Sequence, residues 1–214
     1  MGNKSSSKKP NETLEEEYTS IGLPKISGED LENDLERELY IAINMCRYNP
    51  KRMTKFMKPL KKLDLLSKQG IKSIEKAKKM LKNMEPLPPL AIYADGIKAC
   101  KEISNQYFAD PDEFKEDPEK VTKEANSNVI KTLEETRKGM EVKGDSRVIT
   151  GIKDEQGVFV ILSDICEWVG DGKPGLPPYL ERIHKKIGLN VYPITEENQA
   201  CTMVLIEDFT NSMI

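Results

Sequence analysis

The sequence predicts an α+β fold, with helices filling the first half of the chain and strands closing it. Leu31, Leu35, Leu39, Ala42, Ile43 and Cys46 recur at helical spacing, as do Ile71, Ile74, Ala77, Leu81 and Met84. Ile187 to Tyr192 and Cys201 to Phe209 read instead as strands. Thr195-Glu196-Glu197-Asn198 between them suits a hairpin connection. A chain of 214 residues is long enough for one domain with a real core plus a tail.

Residues 1–26 are polar, carry Pro10, Gly22 and Pro24, and read as a flexible arm ahead of a domain over 27–214. Ser27-Gly28-Glu29-Asp30 reads as the start of the first helix, with Ser27 as cap and an acid three residues on. That helix stops before Asn49-Pro50, because proline disfavours helical backbone at the residue before it. Met53 to Leu66 suggests a second, shorter helix, and a third opens after Gly70 and closes before Pro86. Pro86-Leu87-Pro88-Pro89-Leu90 is a stiff connector, and Tyr93, Ile97, Cys100, Ile103 and Tyr107 mark the next helix. Residues 109–157 are rich in acids, lysine and small polar groups. Val121, Ala125 and Leu133 form only a thin stripe there, so a long loop with a surface helix is expected. Val158-Phe159-Val160-Ile161-Leu162 is open between a buried strand and a helix running on to Val169. Asp171 to Gly175 is a turn.

The formal net charge of −3 gives no electrostatic support for nucleic-acid binding. No apolar run approaches the length of a membrane span, and no apolar segment of a secretion signal follows the start. Cys46, Cys100, Cys166 and Cys201 form no CxxC pair and read as buried free thiols. With one histidine, His184, flanked by Arg182, Lys185 and Lys186, a surface imidazole is expected, with no metal, no cofactor and no catalytic group assigned. Glu167 and the pair Glu207-Asp208 are the acids embedded in apolar segments; they read as a helix-face acid and a strand end.

The start of the chain, Met1-Gly2-Asn3-Lys4-Ser5-Ser6, fits the N-myristoylation pattern, with Gly2 as acceptor and Ser6 at the position that wants Ser or Thr. One myristoyl chain binds a bilayer marginally, and Lys4, Lys8 and Lys9 supply the basic second contribution to anionic lipids at a cytoplasmic membrane face. A second contact is expected at Arg52, Met53, Lys55, Phe56, Met57 and Lys58. Its apolar members offer adaptable area and its basic members offer attraction. The competing reading places Met53, Phe56 and Met57 in the core.

Several segments, taken in order, resemble the CAP superfamily of cysteine-rich secretory and pathogenesis-related proteins. Asn44, Arg47 and Asn49-Pro50 resemble the family's opening helix, and Leu87-Pro88-Pro89-Leu90 its Pro-Pro-Leu element. Trp168-Val169-Gly170-Asp171-Gly172, Ile187-Gly188-Leu189-Asn190-Val191 and Val204 to Phe209 resemble its later helix end and terminal strands. The resemblance implies an α-β-α sandwich around a small antiparallel sheet, with Val158 to Val169 mostly helical. Such proteins commonly line a cleft with two histidines and two acids. The matching positions here are Ile103 or Ser104, Ser146-Arg147 and Pro177-Pro178, so the cleft looks vacated. The chain is similar to the intracellular, myristoylated, Golgi-associated branch. This implies a non-catalytic binding or scaffold module with an unknown protein partner or with itself. The alternatives are a metal- or thiol-dependent hydrolase, and a structural part of a cytoskeletal or ciliary assembly.

Overall fold

The computed structural model describes residues 13–26, 31–153 and 156–207. Gly2, Lys4, Lys8, Lys9, the Ser27–Asp30 segment and Asp208 lie outside them. The described chain is α+β. Helix α1 spans Leu14–Ser20, α2 Asp34–Tyr48, α3 Pro50–Met53, α4 Lys68–Asn83, α5 Ala94–Phe108, α6 Pro111–Glu116, α7 Pro118–Thr136 and α8 Gly157–Gly170. The strands are β1 Ala91–Ile92, β2 Gly144–Ile152, β3 His184–Thr195 and β4 Asn198–Glu207, in the sheet order β1-β3-β4-β2.

The three long strands are antiparallel, with a β3–β4 hairpin turning at Glu196-Glu197 as the sequence suggests. The short β1 joins β3 in parallel, so the sheet is mixed rather than purely antiparallel. Both faces of β4 are buried. Cys201, Met203 and Leu205 enter a core with α2, α4 and α8, while Ala200, Val204 and Ile206 enter a second core with α5 and α7. A two-residue period with both faces apolar accounts for the near-continuous hydrophobic run that marks β4. Helix α5 seats on β3 where Gly96 and Gly188 meet backbone to backbone; a side-chain carbon on either would collide with the other.

The first long helix begins at Asp34, where the Asn33 side chain accepts from Glu36 N, and not at the Ser27 cap. It ends at Asn49, which then caps the proline-started turn α3. The expected helix over 53–66 is instead α3 followed by two 3-10 turns, Thr54–Met57 and Pro59–Lys62, because Pro59 interrupts any longer helix. Residues 13–26 are not a loose arm: α1 carries a capping box at Thr13 and Glu16, and Tyr18 and Leu23 are buried. The stretch 109–157 is more ordered than its composition suggests. Val121, Ala125, Val129 and Leu133 are buried along α7, and β2 forms the sheet edge. Val158 to Val169 resolves as helix.

Candidate functional site

Two arginines organise the part of the molecule that bears chemistry. Arg47 sits near the end of α2, fully buried. Its Nε donates to the Pro88 carbonyl at 2.8 Å, Nη1 to those of Tyr179 at 3.0 Å and Glu181 at 2.8 Å, and Nη2 to that of His184 at 3.1 Å. One turn earlier, Asn44 exchanges two hydrogen bonds with the Leu90 backbone, and the Tyr40 hydroxyl donates to the same carbonyl at 2.6 Å. The helical spacing of Tyr40, Asn44 and Arg47 thus fastens the proline-rich connector and the 179–184 loop to α2. Burial lowers Arg47 from its ordinary value to about 10.

Arg147, on β2, faces α8. It pairs with Asp164 through Nε and Nη2, and its guanidinium lies 5.4 Å from the Trp168 ring centre. Tyr179 donates to Asp164 Oδ2 at 2.7 Å. Burial draws Arg147 downward, but the Asp164 charge and hydrogen bonds outweigh it and the net displacement is upward. Burial first, then Asp164, pushes the Tyr179 hydroxyl well up. Arg147 and Asp164 border a groove of about 270 Å³ between β2 and α8 that Ser163 also lines.

The positions that the resemblance assigns to a cleft do not converge. Ser104 Oγ lies 3.1 Å from Thr202 Oγ1, and Ser146 donates to the Asn126 carbonyl, both beneath α5 and α7. Arg147 lies on the opposite face of the sheet. Glu167 plays a structural part, since its carboxylate accepts from Ser67 N at 2.6 Å and Ser67 Oγ at 2.7 Å and so holds the start of α4. It also occupies the space a side chain on Gly70 would need. The four thiols are buried and free. Burial pushes Cys46 and Cys166 up to about 12 and displaces Cys100 and Cys201 upward as well, which removes thiolate character at neutral pH.

The expected contact over 52–58 divides. Met53 and Met57 are fully buried core residues, which corrects their reading as contact residues, because α3 and the 3-10 turn after it pack both side chains into the main core. Arg52 binds Glu17 of α1 at 2.8 Å and lies over the Phe56 ring. Phe56 is half-buried, and Lys55 and Lys58 remain exposed. Thr13, where the described chain begins, borders the same groove as Phe56.

His184 is not a surface residue. It is fully buried at the first position of β3, with Nδ1 2.8 Å from the Pro178 carbonyl and Nε2 3.1 Å from Asp145 Oδ2. The lysine-rich flanks mask this in sequence: His184 lies three residues before Ile187, out of step with a two-residue alternation, and the strand register shifts between His184 and Lys186. Asp145, Glu181 and His184 form the one triad of potential metal ligands among the described residues.

Comparison with protein-family models, with curated proteins and with solved structures returned no match. No helix among the described residues is long and apolar enough to cross a membrane.

Proposed function

We propose that this chain is a non-catalytic binding or scaffold module of the CAP type, held at an anionic cytoplasmic membrane face by an acylated Gly2. One observation carries the reading. Thr13, the point at which the basic N-terminal segment joins the domain, lines the same groove of about 390 Å³ as Phe56, whose chain neighbours Lys55 and Lys58 are exposed. An arm tethered to a bilayer at Gly2 brings this side of the domain toward the headgroups. Lys55 and Lys58 then add to the attraction begun by Lys4, Lys8 and Lys9.

The CAP assignment is supported by the way Asn44 and Arg47 hold Pro88 and Leu90, and by helices on both sides of the sheet. A non-catalytic role is supported by the mutual satisfaction of Arg147, Asp164 and Tyr179, and by thiols whose burial keeps them protonated.

Membrane fractionation of the full chain from its native cell tests this reading. Gly2→Ala moves the protein to the soluble fraction, because acylation requires the glycine amine. Identical fractionation of wild type and variant refutes the membrane reading. On anionic vesicles, replacing Lys55 and Lys58 by Gln weakens binding by about 1 kcal/mol per lysine near the surface.

A further inference from the structure

We propose that Asp145, Glu181 and His184 form a binding site for a divalent first-row transition ion of the zinc class. The site joins two places in the chain. Asp145 stands on edge strand β2, Glu181 in the loop before β3, and His184 at the first position of β3. One donor atom from each lies within 4.8 Å of the others. Two ligand bonds of about 2.0–2.2 Å span the 3.1 Å between Nε2 and Asp145 Oδ2 at a little over a right angle, which a four-coordinate zinc site accommodates.

The histidine supplies the independent evidence. Its ring is fully buried, and Nδ1 faces the Pro178 carbonyl at 2.8 Å. A carbonyl oxygen only accepts, so Nδ1 carries the hydrogen, which leaves Nε2 as the ring nitrogen on the side of the two carboxylates. This is the outer-shell arrangement of a metal-bound histidine, whose second nitrogen donates to a backbone carbonyl or carboxylate. Nε2 makes no hydrogen bond: the Asp145 oxygen is close but off the line that a bond requires. With Nδ1 bound to the carbonyl, Nε2 is the atom that can ligate a cation, and a cation seated among these atoms offsets the two carboxylate charges.

The support is already rigid. Arg47 donates to the backbone carbonyls of both Glu181 and His184, so two of the three ligands hang from a loop clamped to α2. The neighbouring cations turn elsewhere: Arg182 pairs with Glu85 at 2.8 Å, and Lys185 donates to the Arg182 carbonyl. Imidazole favours a zinc-class ion over Mg²⁺ or Ca²⁺, which prefer all-oxygen sites. Three protein ligands leave a fourth position for water or a partner's side chain. None of the three residues holds a position at which the CAP resemblance places a cleft ligand. The inference also stands apart from the membrane reading, since its test needs neither acylation nor lipid.

The experiment is calorimetric titration of the reduced, folded full chain with Zn²⁺, paired with Co²⁺ absorption and melting temperature. Folded protein is required because the unfolded chain would expose four competing thiols. The expected result is one ion per chain, visible Co²⁺ bands without thiolate charge-transfer absorption, and a melting temperature that rises with ion concentration. Asp145→Asn and Glu181→Gln each weaken binding at least tenfold and the double variant abolishes it, while the metal-free melting temperature changes little. Absence of Zn²⁺ and Co²⁺ binding at millimolar concentration overturns the site and leaves an ordinary histidine–carboxylate contact. Unchanged binding by the double variant overturns it too. Displacement of Zn²⁺ by equimolar Mg²⁺ overturns the ion class.

Discussion

Arg47 and Arg147 solve the same physical problem in different ways. Each takes a guanidinium out of water. Among the described residues Arg47 meets four backbone carbonyls and no carboxylate, and burial lowers it from its ordinary value to about 10. Arg147 meets Asp164 and the face of Trp168, and its proton is held more tightly than usual. The carbonyl-bound arginine therefore acts as a bracket for chain geometry, joining α2 to the 88–90 connector and the 179–184 loop. The carboxylate-bound one is half of a separable pair on the wall of the groove beside α8. The region around Arg47 builds the molecule and presents Glu181 and His184. The region around Arg147 lines a groove.

The largest effect is expected at the bracket. Arg47→Met strands four carbonyls at once, and hydrogen bonds to a charged group are worth about 1.5–3 kcal/mol each. The loss should reach about 6 kcal/mol or more, a large part of the stability of a domain this size, and should appear as a collapse of the urea midpoint. Arg47→Lys should rescue little, because one ammonium cannot reproduce the planar fork.

At the other arginine the contrast sharpens. Arg147→Met leaves Asp164 buried beside Tyr179 alone and should cost about 3–5 kcal/mol. Arg147→Met combined with Asp164→Leu should recover most of that loss. A double-mutant cycle by urea denaturation measures the recovery. Strict additivity would show that the two side chains are not the coupled pair their geometry describes.

Next comes the segment between α3 and α4. Met57→Ala should cost about 3 kcal/mol, as expected for a fully buried side chain, whereas Phe56→Ser should cost roughly 1. Vesicle binding should follow the opposite order, with Phe56→Ser the more damaging. Equal thermal losses at both positions would place Phe56 in the core and remove it from the contact.

The smallest effect separates the buried thiols from the bracket. An unfolded thiol ionises near 9, whereas burial holds Cys46 and Cys166 protonated up to about 12. The stability this represents is complete below pH 9 and is lost as pH rises from there toward 12, at up to about 1.4 kcal/mol per pH unit for each thiol. Arg47 acts in the opposite sense above about 10, since its folded form releases a proton before the unfolded chain does. Urea midpoints between pH 9 and 10 therefore report mainly the thiols, and should fall. A flat profile there would mean the thiols are less buried than their surroundings indicate.

Much of the fold is legible in the residues themselves. The apolar spacings of α2, α4 and α5, the stop at Asn49-Pro50 and the β3–β4 hairpin follow from local preference and pattern. Helix α7 and strand β2 are harder to read, because α7 exposes most of its surface and β2 is an edge strand with one neighbour. Their sequences are polar wherever water reaches them. The Gly70 position is likewise set by the carboxylate of Glu167, a hundred residues away in the chain.

The candidate sites divide along the same line. The acylation pattern at Gly2 and the basic residues near it are one-dimensional signals, complete in nine residues. Met53 and Met57 could not be separated from Phe56 by spacing alone, because inward and outward positions on two tight turns differ only by what packs against them. Tertiary structure alone decided that the lone histidine, written among lysines and arginine, faces inward. Strand pairing carries Asp145 to it across β4, and Arg47 holds Glu181 beside it. Local sequence sets which backbone each segment prefers. Which side chains share a buried space is set by contacts between segments far apart in the chain, and no short window of sequence contains both partners.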